Sequence, residues 1–212
     1  MIERVKVLLL GGANVHCESV RECLISLGET VWLHTQRCDP ALLADRPPDI
    51  IVSYNHRFIL PPAVFTAPRL GAINLHVSFL PWNRGADPNF WSHAEHTPKG
   101  VSLHHIDAGL DTGDLIAREA VESSDADTLR TTYDTLHARL QALFHAWWPL
   151  IREGRAPRAR QEPGGSVHLR RDRDAFASVL AARGWDTPIQ EVAALRLDHE
   201  TIHGRGRHGE RV

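Results

Sequence analysis

Apolar residues along this 212-residue chain fall into short, nearly continuous runs separated by stretches of helical spacing. Val5-Lys6-Val7-Leu8-Leu9-Leu10, ended by Gly11-Gly12, predicts a strand buried on both faces inside a parallel sheet. Cys17, Val20, Cys23, Leu24 and Leu27 then recur at helical spacing up to Gly28, and Thr30 to His34 resumes a strand pattern. Pro47-Pro48 feeds a second β-rich run through Tyr54. A strand is predicted around Ala72 to His76, a helix around Pro88 to His96, and a strand from Gly100 to Ile106 pairing back with Asp114 to Val121. Leu129, Tyr133, Leu136, Leu140, Leu143, Phe144, Trp147, Trp148 and Ile151 place one long amphipathic helix over Thr128 to Arg152. The alternation predicts an α/β fold over residues 1–154, a doubly wound, Rossmann-like, mostly parallel sheet.

After Gly154 arginine, glycine and proline become dense, and Glu162-Pro163-Gly164-Gly165 marks a boundary. A small C-terminal appendage is predicted over 163–200, with a strand at Ser166 to Leu169, one helix from Asp172 to Arg183, and a turn at Gly184 to Pro188 into a last short helix. Residues 201–212 are polar and glycine-rich and read as a flexible tail.

Composition narrows the function classes. Apolar residues make up 42% and charged residues 24%, which suits a folded core. A net charge of -2 gives no electrostatic footprint for nucleic acid or an anionic membrane, so neither is an expected partner. The apolar runs are far shorter than the roughly 20 residues a membrane helix needs, and no signal peptide is recognised, so the expected location is cytoplasmic. Cys17, Cys23 and Cys38 lack metal-ligand spacing and are expected to be reduced thiols.

Candidate chemistry concentrates in two segments. Asn74-Leu75-His76 ends a predicted strand, and period-two alternation sends Asn74 and His76 to one face, a neutral donor beside a titratable base. In an open parallel sheet the ligand crevice lies beyond the carboxyl ends of the strands. The second segment, His104 to Asp114, packs two histidines and three aspartates into a loop. No three histidines are spaced as ligands, so no metal is expected.

Together these segments resemble the folate-dependent formyltransferase family, which includes glycinamide ribonucleotide, methionyl-tRNA and nucleotide-sugar formyltransferases. The motif is Asn-X-His leading into Ser-X-Leu-Pro, here Asn74, His76, Ser78, Leu80 and Pro81, followed by Leu110-Asp111-Thr112-Gly113. The resemblance implies that Asn74, His76 and Asp111 are catalytic, with Asn74 donating to an oxyanion, His76 accepting the amine proton or, once protonated, donating to the oxyanion as well, Asp111 orienting His76, and either His76 or Asp111 as the final proton acceptor. It implies 10-formyltetrahydrofolate as the formyl donor, bound by Tyr54, Phe58, Ile59, Leu60, Asp107 and Asp111.

The acceptor is read from departures within the family. Gly11-Gly12-Ala13-Asn14-Val15 differs from the phosphate loop of glycinamide ribonucleotide formyltransferases, and the roughly 50 residues after Gly164 do not match the tRNA-binding domain of methionyl-tRNA formyltransferases. Leu80 to Trp91 looks like the form in sugar N-formyltransferases. The expected acceptor is therefore a nucleotide-linked amino sugar, touched by Asn14, Trp82 and Arg84, with Trp82 packing on a sugar face and Arg84 binding phosphate. The alternatives are another amine (an amino acid, a hydroxylamine, glycinamide ribonucleotide or aminoacyl-tRNA) or a non-catalytic folate-binding module. A nicotinamide-dependent oxidoreductase is disfavoured because the Gly-X-Gly-X-X-Gly fingerprint is missing. A homodimer is allowed.

Overall fold

The computed structural model describes residues 4–174 and 176–195. Six strands form one mixed sheet, β1 (Lys6–Gly11), β2 (Thr30–His34), β3 (Ile50–Tyr54), β4 (Ala72–His76), β6 (Gly100–His105) and β7 (Leu115–Ala120), in the order β2-β1-β3-β4-β6-β7. The first four run parallel, while β6 is antiparallel to both β4 and β7. The predicted hairpin is present, with a register shift between Leu103 and His104.

Alternation along the strands gives the sheet two different faces. Val7, Leu9, Val52, Tyr54, Ile73 and Leu75 point toward α1 (Val15–Ser26) and α5 (Leu129–Arg152) and build the larger core. Leu8, Leu10, Ile51 and Ala72 point the other way, under two short helices that the apolar pattern did not predict, α2 (Pro40–Asp45) and α3 (Pro62–Phe65). Each of these spans only four to six residues, too few for a period to show, and each opens with a proline. The long helix α5 begins at a capping box in which Thr128 and Thr131 satisfy each other's backbone N–H groups. It lays Leu136, Leu140, Phe144, Trp148 and Ile151 on the sheet. Buried Glu29 ties its far end to β1, accepting from Trp148 Nε1 at 3.1 Å, Arg152 Nε at 2.6 Å and the Val5 N–H at 2.7 Å.

The residues after Gly154 pack back onto the segment that follows β4. The two-residue strands β5 (Arg84–Gly85) and β8 (Val167–His168) pair in parallel. In place of one helix from Asp172 there are two short ones, α6 (Arg170–Asp174) and α7 (Ala177–Leu180), beginning two residues earlier than predicted. Phe176 and Val192, the latter from α8 (Ile189–Ala193), pack with Phe90 and Trp91 of α4 (Pro88–Ala94). The predicted tail over 201–212 and the end of the predicted appendage lie outside the described residues.

Candidate active site

Asn74 occupies the middle of β4, directly paired with Ser53 of β3 and His104 of β6, while His76 ends the strand opposite Ser102. All share the face of Ala72, away from α5. The site therefore lies on this face as well as at the strand end. The loop from Ile106 to Asp114 leaves β6 level with the start of β4, where the Ile106 N–H donates to the Ala72 carbonyl at 2.8 Å. It folds back along the sheet and delivers Asp111 to Asn74 and His76.

Asp111 joins the group. Its Oδ1 accepts from Asn74 Nδ2 at 3.1 Å and lies 3.4 Å from His104 Nε2. Its Oδ2 accepts from the Gly85 N–H at 2.8 Å and lies 3.7 Å from His76 Nδ1. Asp111 sits at φ 53°, a left-handed conformation that aspartate tolerates better than most residues. Its backbone is held by Gln161, whose Nε2 donates to the Asp111 and Gly113 carbonyls, each at 2.8 Å. Burial alone would raise the carboxyl, but positive charge on His76, a contact with and charge on His104, and the Gly85 N–H pull the other way and outweigh it, so Asp111 lies well below the ordinary range and is ionised.

Both histidine tautomers follow from backbone carbonyls, which can only accept. His76 Nε2 donates to the Asn83 carbonyl at 3.2 Å, so the neutral ring keeps its lone pair on Nδ1, toward Asp111. Burial, the largest influence, lowers the His76 pKa, and Asp111 opposes it. His104 Nδ1 donates to the His105 carbonyl at 2.8 Å, so its Nε2 accepts from Asn74 Nδ2 at 3.2 Å. The Asn74 amide is thus shared between Asp111 and His104. His104 is the member of this cluster to which the sequence reading gave no role. The cross-strand pairing with Asn74 that places it there is visible only once β6 is known to run antiparallel.

Two cavities meet at this cluster. One, of about 130 Å³, is lined by Phe58, Ile59, Leu60, Ile106, Asp107 and Asp111 together with Ser53, Asn74 and His104. The Phe58 ring, the aliphatic side chains of Ile59, Leu60 and Ile106, and the loop backbone suit a planar heterocycle there. His56 borders both cavities, and its Nε2 is buried with no hydrogen-bond partner among the described residues. The other cavity, of about 520 Å³, opens on the far side of Asn74, His76 and Asp111 and is bounded by Gly85 to Asn89, Tyr133, His168 to Arg170 and Trp185. The described residues contain no group of three or more His, Cys, Asp or Glu placed to hold a metal ion.

Five of the six predicted donor-side residues, Phe58, Ile59, Leu60, Asp107 and Asp111, line the smaller cavity. Asp107 does so while shaping the loop, accepting from the Gly109 N–H at 3.0 Å and Thr112 Oγ1 at 2.7 Å. Tyr54 does not. Alternation turns it to the opposite face, where it is fully buried and its hydroxyl bonds His137 Nδ1, leaving Ser53 to face the site. The predicted acceptor contacts are also placed elsewhere. Asn14 caps α1, accepting from the His16 and Cys17 N–H groups at 3.1 Å each. Trp82 closes the turn that starts at Phe79 and lines neither cavity. Arg84 donates Nε and Nη2 to Gln161 Oε1 at 3.2 and 2.8 Å, which makes it a brace of the Asp111 loop.

This arrangement has close relatives. The formyltransferase PseJ from Anoxybacillus kamchatkensis, whose crystal structure holds UDP-4,6-dideoxy-4-formamido-L-AltNAc and tetrahydrofolate, is 42% identical, with a TM-score of 0.82 over 88% of this chain and 97% of that one. Methionyl-tRNA formyltransferase of Ralstonia nicotianae is 36% identical over 159 residues, 74% of this chain, and that of Pelotomaculum thermopropionicum 37% over 123 residues, 58% of this chain. The aligned parts are 47% and 39% of the lengths of those two relatives. The formyl transferase family model matches residues 29–147, a span that contains β3, β4 and the loop carrying Asp111. With more than half of its sequence inside that match, the chain belongs to the formyl transferase family.

Proposed function

We propose that this protein transfers a formyl group from 10-formyltetrahydrofolate to the primary amine of a nucleotide-linked amino sugar. The observation that carries the reading is the meeting of a small, largely apolar cavity and a larger one at Asn74 and Asp111, with His76 on the wall of the larger. A donor bound in the first would present its formyl carbon at that junction, and an acceptor in the second would present its amine. The most similar of the relatives described above holds a formamido sugar nucleotide and tetrahydrofolate, which supports both halves of the reading.

The amine attacks the formyl carbon, a C–N bond forms, and negative charge moves to the formyl oxygen. The Asn74 N–H that now faces His104 turns to this oxyanion, while its other N–H stays on Asp111. A fixed donor of this kind contributes about 3 kcal/mol in a transition state. Neutral His76 takes the amine proton on Nδ1, and the imidazolium so formed is stabilised by Asp111. Collapse breaks the bond to N10 of the folate, and the proton passes to that nitrogen, leaving formamide and tetrahydrofolate. His76 ends neutral, as it began.

The test is an acceptor panel with 10-formyltetrahydrofolate, in which formamide is detected by mass. Nucleotide-linked amino sugars are expected to be formylated, with a free amino acid, a hydroxylamine, glycinamide ribonucleotide and aminoacyl-tRNA inert. Formylation of aminoacyl-tRNA alone would transfer the assignment to the methionyl-tRNA branch, whose members are among the relatives.

A further inference from the structure

The outer wall of the larger cavity consists of groups that the transfer chemistry leaves idle. Tyr133 of α5 and Trp185 of the turn Gly184–Asp186 both line it, with ring centroids 5.3 Å apart and planes tilted by 50°. Trp185 is 39% exposed, whereas Trp91 and Trp148 are fully buried. An indole left open at a cavity wall presents a flat apolar face for another ring to cover. Arg170 lines the same cavity and is exposed. Asp87, the carboxylate whose titration it influences, is bonded to Arg173 at 2.7 Å instead, so among the described residues the Arg170 guanidinium has no carboxylate partner and keeps its fork for another anion.

The wall is also fixed in place. β8 is hydrogen-bonded to the active-site loop, the Arg84 N–H donating to the Ser166 carbonyl at 3.0 Å and the Ala86 N–H to the His168 carbonyl at 2.8 Å. His168 stacks on Trp91 with centroids 3.9 Å apart. At the other end, Arg130 of α5 holds Asp186, beside Trp185, at 2.6 Å. A rigid aromatic and cationic surface across the cavity from the reacting atoms suits the remote part of a long acceptor.

We propose that the appendage reads the carrier of the acceptor: Trp185, backed by Tyr133, stacks the base of a nucleoside diphosphate, and Arg170 pairs with its phosphates. The amino sugar then spans the cavity to Asn74 and His76. This inference rests on the acceptor class proposed above and assigns its recognition chiefly to Trp185 and Arg170, which lie outside the span of the family match, with Tyr133 inside it.

The experiment titrates UDP, dTDP and uridine into the full chain by calorimetry, with steady-state kinetics beside it. Trp185→Ala is expected to weaken UDP and uridine alike by about tenfold or more. Arg170→Gln is expected to weaken UDP by a similar factor and leave uridine unchanged. Both should raise the KM of the nucleotide-linked amino sugar, with kcat and the folate KM unchanged within about twofold. Trp185→Phe should retain most of the binding, and if the alanine variant unfolds, Trp185→Leu, apolar but without a ring face, takes its place and should weaken UDP and uridine alike. A wild-type chain that binds neither diphosphate overturns the proposal. So does a wild-type chain that formylates nucleotide-linked amino sugars while Trp185→Phe, Trp185→Ala and Arg170→Gln, all folded, bind them as it does; the acceptor assignment would then stand alone. Formylation of other amines only would remove the acceptor assignment itself, and the inference with it.

Discussion

Burial and one carboxylate pull the His76 imidazole in opposite directions, and burial is the larger influence. A base that must be neutral to act loses activity as pH falls through its own pKa, so the acid limb of kcat should lie below 6.5, the ordinary histidine value. Asp111→Asn removes the group that raises that pKa. The limb should move further toward acid while kcat falls by about a hundredfold or more. An acid limb in the wild type above pH 6.5 would contradict a neutral His76. His76→Ala should lower turnover by roughly two to four orders of magnitude with an unchanged melting temperature. Arg84 and Gln161 form a different kind of contact, one step removed from the chemistry. Gln161→Ala and Arg84→Ala should each lower kcat by about tenfold with both KM values nearly constant, because they loosen the Asp111 loop. A rise in acceptor KM alone in Arg84→Ala would return Arg84 to the phosphate role that its residue type suggests. The trio was legible in the sequence because alternation pairs Asn74 with His76 and the motif supplies Asp111. Alternation applied one strand earlier would have excluded Tyr54 and chosen Ser53. Arg84 carried no such signal, since its partner lies 77 positions away and nothing local announces it.

Among the elements, the long ones were readable, β8 fell inside the strand predicted at Ser166 to Leu169, and the two-residue β5 was not foreseen. β1 shows as a continuous apolar run and α5 as a period that survives over 24 residues, whereas β5 and β8 are too short for any period and exist because their backbones meet. The same meeting ties the appendage, which composition set apart at Glu162 to Gly165, to the catalytic loop. Two glycines permit it. A Cβ on Gly85, at φ 87°, would lie 2.2 Å from the His168 carbonyl oxygen, and one on Gly165, at φ 85°, 2.0 Å from that of Pro81. Both obstacles are backbone and cannot swing aside. Gly165→Ala should therefore cost on the order of 2 kcal/mol or more in denaturant unfolding. It should also lower turnover, because the loop it displaces carries the Asn83 carbonyl that orients His76 and the Gly85 N–H that holds Asp111. A fully stable and fully active Gly165→Ala chain would show that the appendage is only attached, not part of the site.

Across the whole molecule, the fold keeps several histidines neutral inside it, and this sets its response to acid. Burial, with smaller contributions from neighbouring charges, lowers His56 and His93 to about 4 and His137 to about 3. They sit in separate places: His56 at the two cavities, His93 in α4, and His137 in α5 beside the Tyr54 hydroxyl. In the unfolded chain each would titrate near 6.5, so between 6.5 and the folded values the unfolded state binds more protons than the folded one. Stability from these groups is complete above about pH 6.5 and is lost as pH falls toward 4, the direction expected for a depressed pKa. His76 shares the sign. Asp111, lowered as well, adds a loss that begins only below its ordinary value of 3.8. The melting temperature should therefore be flat from pH 8 to 7 and fall by roughly 5 to 10 °C between pH 6.5 and 5, a range in which ordinary carboxylates have scarcely begun to titrate. His137→Phe removes the most depressed of these groups and should flatten the slope over that interval, even if the loss of the Tyr54 contact lowers the plateau at neutral pH. A wild-type melting temperature constant down to pH 5 would mean that these histidines titrate in the folded protein as they do in the unfolded chain, and burial would then not be what keeps the base proposed at His76 neutral.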